Sequence, residues 1–197
     1  MKIIADCMLG KLARWLRFCG NHVYYSSKAS DDQILALLKD YKAKKEGLLI
    51  TRDKQLSKRA TVGGYESILI QPTKVLLQLK QVLASEWGES LECNPFLATC
   101  AACSTKLKEI PPEKALLQLE TDNPISSGYN SYYQCTNSSC MKIYWRGPAW
   151  RDAFSRLCSI INKKRLQLLI GHCETELDLL AREWSKRIIQ KHIESLS

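Results

Sequence analysis

The run KIIADCMLGKLARWLR at residues 2–17 decides the fold of the chain. Its first four residues predict a short apolar strand that ends at Asp6. From residue 9 to residue 19, apolar side chains recur at the three- and four-residue spacing of one helix face. Gly20 then supplies the residue type that most often follows the end of a helix. The run therefore predicts a strand that passes directly into an amphipathic helix.

The alternation of strands and helices continues as far as residue 84. Further strands are predicted at residues 22–25, 48–51 and 67–70. Further helices are predicted from the capping box SDDQ at residues 30–33, from Asp53 and from Thr73. Short apolar strands that alternate with helices form a parallel sheet covered on both faces. The N-terminal part of the chain is therefore predicted to be an α/β domain.

Aspartates follow three of the predicted strands. They are Asp6, Asp31, Asp32 and Asp53. Ligands of an open parallel sheet bind outside the carboxyl ends of its strands, so these side chains are expected to share one crevice. Clustered carboxylates suit Mg²⁺ or Mn²⁺, and such ions activate water for phosphodiester cleavage. The alternative is that each aspartate only caps a helix.

Basic residues are concentrated beside the predicted carboxylate crevice. The segment between Asp6 and Asp31 carries Lys11, Arg14, Arg17 and Lys28 and no acidic residue. Basic side chains near aromatic ones can hold a phosphate backbone and stack a base, and Trp15 and Phe18 lie on the same predicted helix. Alternatively, the two rings pack against the second module of the chain and the cations are merely solvated.

The composition narrows the class of protein and of partner. The 197 residues are 45% apolar and 25% charged, which is typical of a globular protein. No apolar run is long enough to span a bilayer, and a charge at Asp6 comes too early for a secretory signal. We therefore expect a cytoplasmic protein, in which the nine cysteines are free thiols or metal ligands rather than disulfides. The net charge of +9 favours an anionic partner, with nucleic acid first.

Four cysteines have the spacing of a zinc site. Cys100 and Cys103 form a CxxC pair, and Cys135 and Cys140 form a CxxxxC pair. Two thiolate pairs on separate turns form a tetrahedral, structural zinc site, and the alternative is a redox-active CxxC. Cys93 is a candidate replacement for one ligand. The remaining cysteines are expected to be small buried residues: Cys7, Cys19, Cys158 and Cys173.

The chain is expected to divide into three parts. Residues 1–86 form the α/β domain, and residues 96–150 form the cysteine-rich module after a linker. Residues 151–197 form a tail of two helices broken near Gly171, which could bind a protein partner.

Several motifs, in the same order along the chain, resemble the Mut-seven C-terminal RNase family. The first is the long run at residues 6–17, and it is followed by SDDQ at 30–33 and LITRD at 49–53. In the second half, CAAC at 100–103, IPP at 110–112 and YWRG at 144–147 continue the likeness. The resemblance covers roughly residues 1–152. It implies a PIN-like parallel sheet with flanking helices, followed by a small zinc ribbon. The C-terminal helices lie beyond the resemblance and are predicted from apolar periodicity alone.

The resemblance also implies roles for individual residues. RNA would be cleaved at an acidic Mg²⁺ or Mn²⁺ site formed by Asp6, Asp32 and Asp53, with Asp31 beside them. RNA would be held by Lys11, Arg14, Arg17 and Arg52. Structural zinc would be held by Cys100, Cys103, Cys135 and Cys140.

Two departures from the family pattern bear on these expectations. The family's second cysteine pair is usually CxxC, whereas two further residues separate Cys135 from Cys140 here. The further acidic residue expected near the third motif is missing, since the next acid after Asp53 is Glu66. The alternative to a nuclease is therefore a catalytically inactive RNA- or ribosome-binding adaptor that keeps the fold.

Overall fold

A computed structural model describes residues 1–42, 47–119, 128–174 and 179–196. These residues form two compact units, Met1–Cys93 and Asn94–Ser197. No helix in the described ranges is both long and apolar enough to cross a membrane.

The first unit is a four-stranded parallel sheet with helices on both faces, as the sequence predicts. The strands are β1 (Lys2–Ala5), β2 (His22–Tyr25), β3 (Gly47–Thr51) and β4 (Glu66–Leu69). The helices are α1 (Gly10–Phe18), α2 (Asp31–Lys42), α3 (Lys54–Val62) and α4 (Val75–Ala84). Single 3₁₀ turns lie at Cys7–Leu9 and Gly88–Ser90. Parallel pairing joins the strands in the order β2-β1-β3-β4.

The two central strands are mostly apolar because helices cover both of their faces. Ile3 and Ile4 on β1 are completely buried, and so are Leu48, Leu49 and Ile50 on β3. On one face, Ile4 and Leu49 pack with apolar residues from α2 and α3. Helix α1 packs on β2 and α4. This core holds the carboxyl ends of β1 and β3 side by side.

Local signals in the sequence set most of the helix ends. Ser30 Oγ accepts from the N–H of Gln33, and Gln33 Oε1 accepts from the N–H of Ser30, so the predicted capping box is confirmed. Gly20 has a φ of 98°, which fits its predicted place after α1. The predicted cap at Thr73 is wrong, because α4 begins two residues later, after Lys74, with no side-chain cap.

The strand order creates a switch point between β1 and β3. From β1 the chain crosses to β2 on one side, and it returns to β3 on the other side of β1. In such sheets the crevice at the carboxyl ends of the two strands is the usual ligand site. Ala5 lies beside Ile50, and the N–H of Asp6 donates to the carbonyl of Ile50 at 3.2 Å. Asp6 and the residues after β3 therefore lie at this switch point.

The second unit begins with a small antiparallel sheet. Its strands are β5 (Leu107–Ile110), β6 (Tyr132–Cys135) and β7 (Ile143–Trp145), in that order across the sheet. Helix α5 (Pro112–Gln118) contributes Ala115 to a core with Ile110 and Tyr132. The sheet and the cysteine cluster beside it agree with the predicted ribbon.

Three further helices follow the ribbon: α6 (Pro148–Cys158), α7 (Lys163–Glu174) and α8 (Leu179–Ser195). The prediction of two helices is wrong in number, since the described residues form three, and Gly171 lies inside α7, which ends three residues later at Glu174. A boundary that was not predicted falls between Cys158 and Lys163, where Oδ1 of Asn162 accepts from the N–H of Arg165 at 3.0 Å and begins α7. A glycine costs a helix only about 1 kcal/mol, so it does not by itself end one.

Candidate functional site

Asp6 is a buried carboxylate at the switch point of the sheet. It is only 2% exposed. Its Oδ1 accepts from the N–H of Met8 at 2.8 Å, and its Oδ2 accepts from the N–H of Arg52 at 2.8 Å. The hydroxyl of Thr51 also donates to Oδ2. Donors that follow both central strands therefore fix the orientation of this carboxylate.

Thr51 connects Asp6 to the next aspartate along the sheet edge. Its hydroxyl oxygen accepts from the N–H of Asp53 at 2.9 Å while its proton goes to Asp6. Thr51 is completely buried. Reasoning from the sequence missed this residue, although one signal was present: it is the polar last residue of an otherwise apolar strand.

Asp53 is the N-cap of α3. Its Oδ1 accepts from the N–H groups of Gln55 at 2.6 Å and Leu56 at 3.1 Å. These bonds satisfy two of the four backbone donors that the start of a helix leaves open. The capping role, which the sequence left open as an alternative, is therefore present at this position.

Asp31 and Asp32 begin α2 and pair with Arg59 from α3. Nη1 of Arg59 lies 3.6 Å from Oδ2 of Asp31, and Nη2 lies 2.5 Å from Oδ1 of Asp32. The Arg59 side chain is 47% exposed, so both ion pairs are in contact with solvent. Arg59 was not predicted as a site residue, because nothing local in the sequence indicates that it reaches α2.

The four aspartates do not form one cation site in this structure. All of them lie in the described ranges, yet no three of their carboxylates have ligand oxygens within 4.8 Å of one another. Their oxygens instead accept backbone and hydroxyl hydrogen bonds or pair with Arg59. The residues present therefore do not fit a shared Mg²⁺ or Mn²⁺ ion in this arrangement, and that site stays a prediction.

The predicted RNA contacts divide between the surface and the interior. Lys11 and Arg14 are exposed on α1, and Arg52 is partly buried after β3. Arg17 is only 4% exposed, and its guanidinium donates to the carbonyl of Val23 from Nε at 3.2 Å and from Nη2 at 2.8 Å. At about 100° per residue, Arg17 lies roughly 120° around the helix from Lys11. The expectation of a phosphate contact at Arg17 is therefore corrected: it ties α1 to β2.

The side chain of Tyr25 packs closely against the turn that follows β1. The hydroxyl of Tyr25 donates to the carbonyl of Cys7 at 3.2 Å. A Cβ atom on Gly10 would lie 2.6 Å from the Tyr25 hydroxyl oxygen, so a larger residue there would displace the tyrosine ring. Within this turn Cys7 is exposed, and its predicted burial is therefore wrong.

Trp15 and Phe18 on α1 make an edge-to-face contact, with their ring centres 5.7 Å apart, as packing rings do.

The four predicted zinc ligands come together in the second unit. The Sγ atoms of Cys100, Cys103, Cys135 and Cys140 all lie within 4.8 Å of one another. Cys100 lies 3.7 Å from Cys140, and Cys103 lies 3.4 Å from Cys135. A tetrahedral zinc ion with Zn–S bonds of about 2.3 Å needs sulfurs about 3.8 Å apart. The donor set and its spacing therefore fit zinc, whereas Cys93 lies outside the group.

The longer second cysteine pair is accommodated by an asparagine-capped turn. Asn137 accepts at its carbonyl from the N–H groups of Cys140 at 2.9 Å and Met141 at 3.0 Å. Its side chain accepts from the N–H of Ser139 at 2.9 Å. Met141 has a φ of 50°, and Ser104, which follows the first pair, has a φ of 66°. Both turns therefore reverse the chain in the same way directly after their second cysteine.

The thiols of the cluster differ in acidity when no cation is bound. Burial raises the pKa of Cys135 to about 12, and the hydrogen bonds that its thiol donates to Cys103 and Cys100 add to the effect. Burial also opposes ionisation of Cys103, but hydrogen bonds with Thr105 and the neighbouring thiols outweigh it and lower the pKa of Cys103 to about 6. Zinc requires all four ligands as thiolates, so binding must release protons.

Arg146 lies among three aromatic rings of the second unit. It is 7% exposed, and its guanidinium carbon lies 4.8 Å from the ring centre of Tyr133, 4.9 Å from Phe96 and 5.6 Å from Trp150. Such cation–π contacts stabilise a buried guanidinium. The arginine of the YWRG motif therefore connects β7 to the start of α6.

The Mut7-C RNAse domain family model matches residues 1–157. No curated protein and no solved structure matches the chain. The matched range includes the switch point, the four clustered cysteines and nearly all of α6, and it ends before α7. Since it covers well over half of the 197 residues, the chain belongs to the Mut7-C RNAse domain family.

Proposed function

We propose that this protein is a ribonuclease that cleaves RNA at the switch point between β1 and β3. The observation that carries the proposal is the buried Asp6 carboxylate, held by Thr51 and Arg52 where ligands of such sheets bind. A buried, oriented carboxylate at a ligand-binding edge is typical of an active site. Membership of an RNase domain family supports the same reaction.

RNA is the proposed substrate, and its backbone would be held by the exposed cations of α1. Lys11 and Arg14 are exposed to solvent and lie on the helix that begins just after Asp6. Residues 1–92 carry 15 basic and 10 acidic side chains, so the domain attracts a polyanion despite its aspartates. Contacts of this kind position a backbone without selecting a sequence.

The test is RNA cleavage by the full chain and by Asp6→Asn. The substitution keeps the size of the side chain and removes the carboxylate that the proposal places at the reacting phosphate. We expect cleavage to fall at least about 100-fold, which is the usual range for loss of an acid–base group. Asp40→Asn is the matched control, because it removes the same charge from an exposed residue near the end of α2.

Each protein is incubated with single-stranded and with structured RNA, in Mn²⁺ and in EDTA. The Mn²⁺ arm measures the cofactor requirement that the sequence predicts. Equal cleavage by wild type and Asp6→Asn would mean that the activity belongs to a contaminant and that the ribonuclease proposal is wrong.

A second candidate is an RNA-binding adaptor that does not cleave. It is favoured by the ion pairs of Asp31 and Asp32 with Arg59, which occupy carboxylates that a metal-dependent nuclease needs. An adaptor leaves RNA intact in every arm of the assay and still binds it. Its affinity falls steeply with salt, because binding releases counterions from the RNA.

Helices α7 and α8 lie beyond the family match, and a protein partner for them is a separate proposal. A variant that lacks both helices, measured in the same RNA assay, separates this role from RNA binding.

A further inference from the structure

Tyr144 lies against a zinc ligand. It is on β7, opposite Tyr133 of β6, and therefore on the face of the ribbon sheet that also carries Cys135. Its hydroxyl oxygen lies 3.1 Å from Sγ of Cys100. Cys100 is completely buried, so this sulfur has little access to water.

The charge state of the ligand sets the direction of this hydrogen bond. A zinc-bound Cys100 is a thiolate and has no proton to donate. The Tyr144 hydroxyl, at 3.1 Å, is therefore the donor and the sulfur is the acceptor.

Four thiolates around one Zn²⁺ leave a net charge of −2, which is costly to bury. Donors in the second shell offset this cost and orient the ligands, as other metal sites do with hydrogen bonds to their ligands. On the same cysteine pair, Oγ1 of Thr105 accepts from the Cys103 thiol at 3.3 Å, and this hydroxyl can donate instead once Cys103 is a thiolate. The first pair thus has a hydroxyl beside each of its sulfurs.

We propose that Tyr144 is a positioning residue of the zinc site, whose hydroxyl donates a hydrogen bond to the zinc-bound Cys100 thiolate. The proposal rests on zinc in the four-cysteine cluster and is independent of ribonuclease activity. The tyrosine of the YWRG motif therefore contributes to metal retention as well as to the strand.

The experiment compares the full-length, zinc-loaded wild type with Tyr144→Phe, which removes only the hydroxyl. Competition with a chromophoric chelator measures zinc affinity. We expect Tyr144→Phe to bind zinc about 10- to 100-fold more weakly, the usual effect of losing a second-shell partner. Tyr129→Phe is the matched control, because its ring contacts Tyr132 and Trp145 in the same ribbon. It should retain wild-type affinity.

Cobalt substitution supplies a readout that a purely structural role would not move. Loss of a hydrogen bond to the thiolate shifts the sulfur-to-cobalt charge-transfer band to lower energy, while the tetrahedral ligand-field bands remain. Equal zinc affinity and equal spectra for wild type, Tyr144→Phe and Tyr129→Phe would overturn the proposal.

A measurement on the wild type keeps the proposal testable if Tyr144→Phe does not fold. In the cadmium-substituted protein, NMR should detect a coupling between the metal nucleus and the Tyr144 hydroxyl proton, transmitted through Sγ of Cys100. A hydroxyl proton that exchanges freely with water and shows no coupling would also overturn it.

Discussion

The sheet edge of the first unit and the cysteine cluster of the second both concentrate ligands for a cation, but they satisfy those ligands differently. In the cluster, the sulfurs lie within 4.8 Å of one another and fit one tetrahedral ion. At the sheet edge, the Asp6 and Asp53 carboxylates accept hydrogen bonds from the protein itself, and Asp32 pairs with Arg59.

The difference follows from how each set of ligands is connected. Each cysteine pair lies within one short turn, so backbone hydrogen bonds at Ser104 and Asn137 bring its two sulfurs together locally. The aspartates come from three separate strand–helix junctions. A carboxylate at such a junction has other partners within reach, above all the open N–H groups of the next helix. Ligand atoms at the same edge of a sheet therefore need not share an ion.

The largest effect is expected from a substitution in the cysteine cluster. Cys135→Ser removes a completely buried ligand, and structural zinc sites contribute on the order of 10 kcal/mol to folding. We expect loss of zinc, from about one atom per chain to none, together with loss of the ribbon's ordered NMR signals. Metal analysis and NMR measure the two effects.

The control for this prediction is Cys7→Ser, which alters an exposed thiol outside the cluster. A Cys135→Ser protein that keeps zinc and an ordered ribbon would contradict the four-cysteine site.

A smaller effect is expected from a substitution beside the aspartates of the sheet edge. Arg59→Gln releases Asp31 and Asp32 from their cation. Because both ion pairs are exposed to solvent, the unfolding free energy should fall by less than about 1 kcal/mol. The freed carboxylates should bind Mn²⁺ more tightly than those of wild type, as water proton relaxation measures. Lys58→Gln removes the same charge from the neighbouring exposed residue. Equal Mn²⁺ binding by the two variants would show that Arg59 does not compete with the metal.

Local patterns in the sequence predicted the fold well. Alternating apolar strands and helices predicted the parallel sheet, and SDDQ predicted the start of α2 through a capping box. The two cysteine spacings predicted the cluster in the same way, because each pair is a local unit.

Contacts between distant elements were not predictable. Arg17 was expected to hold RNA, but its guanidinium is buried and donates to the carbonyl of Val23. Thr51 donates to a carboxylate 45 positions away, and Arg59 reaches Asp32 across 27 positions. Such pairs depend on the order of the strands, which local periodicity does not specify. The helix boundary missed between α6 and α7 has a local cause, since the cap at Asn162 was overlooked.

The most direct test of the ribonuclease proposal is single-turnover cleavage of saturating RNA by wild type, Thr51→Val and Asp6→Asn in one assay. Valine keeps the shape of Thr51 but removes the hydroxyl that donates to Asp6 and accepts from Asp53. We predict cleavage about 10- to 100-fold slower for Thr51→Val, as for loss of a group that orients a site, and slower still for Asp6→Asn. RNA affinity should be retained in both variants. Wild-type rates in both would contradict the placement of the site at the switch point.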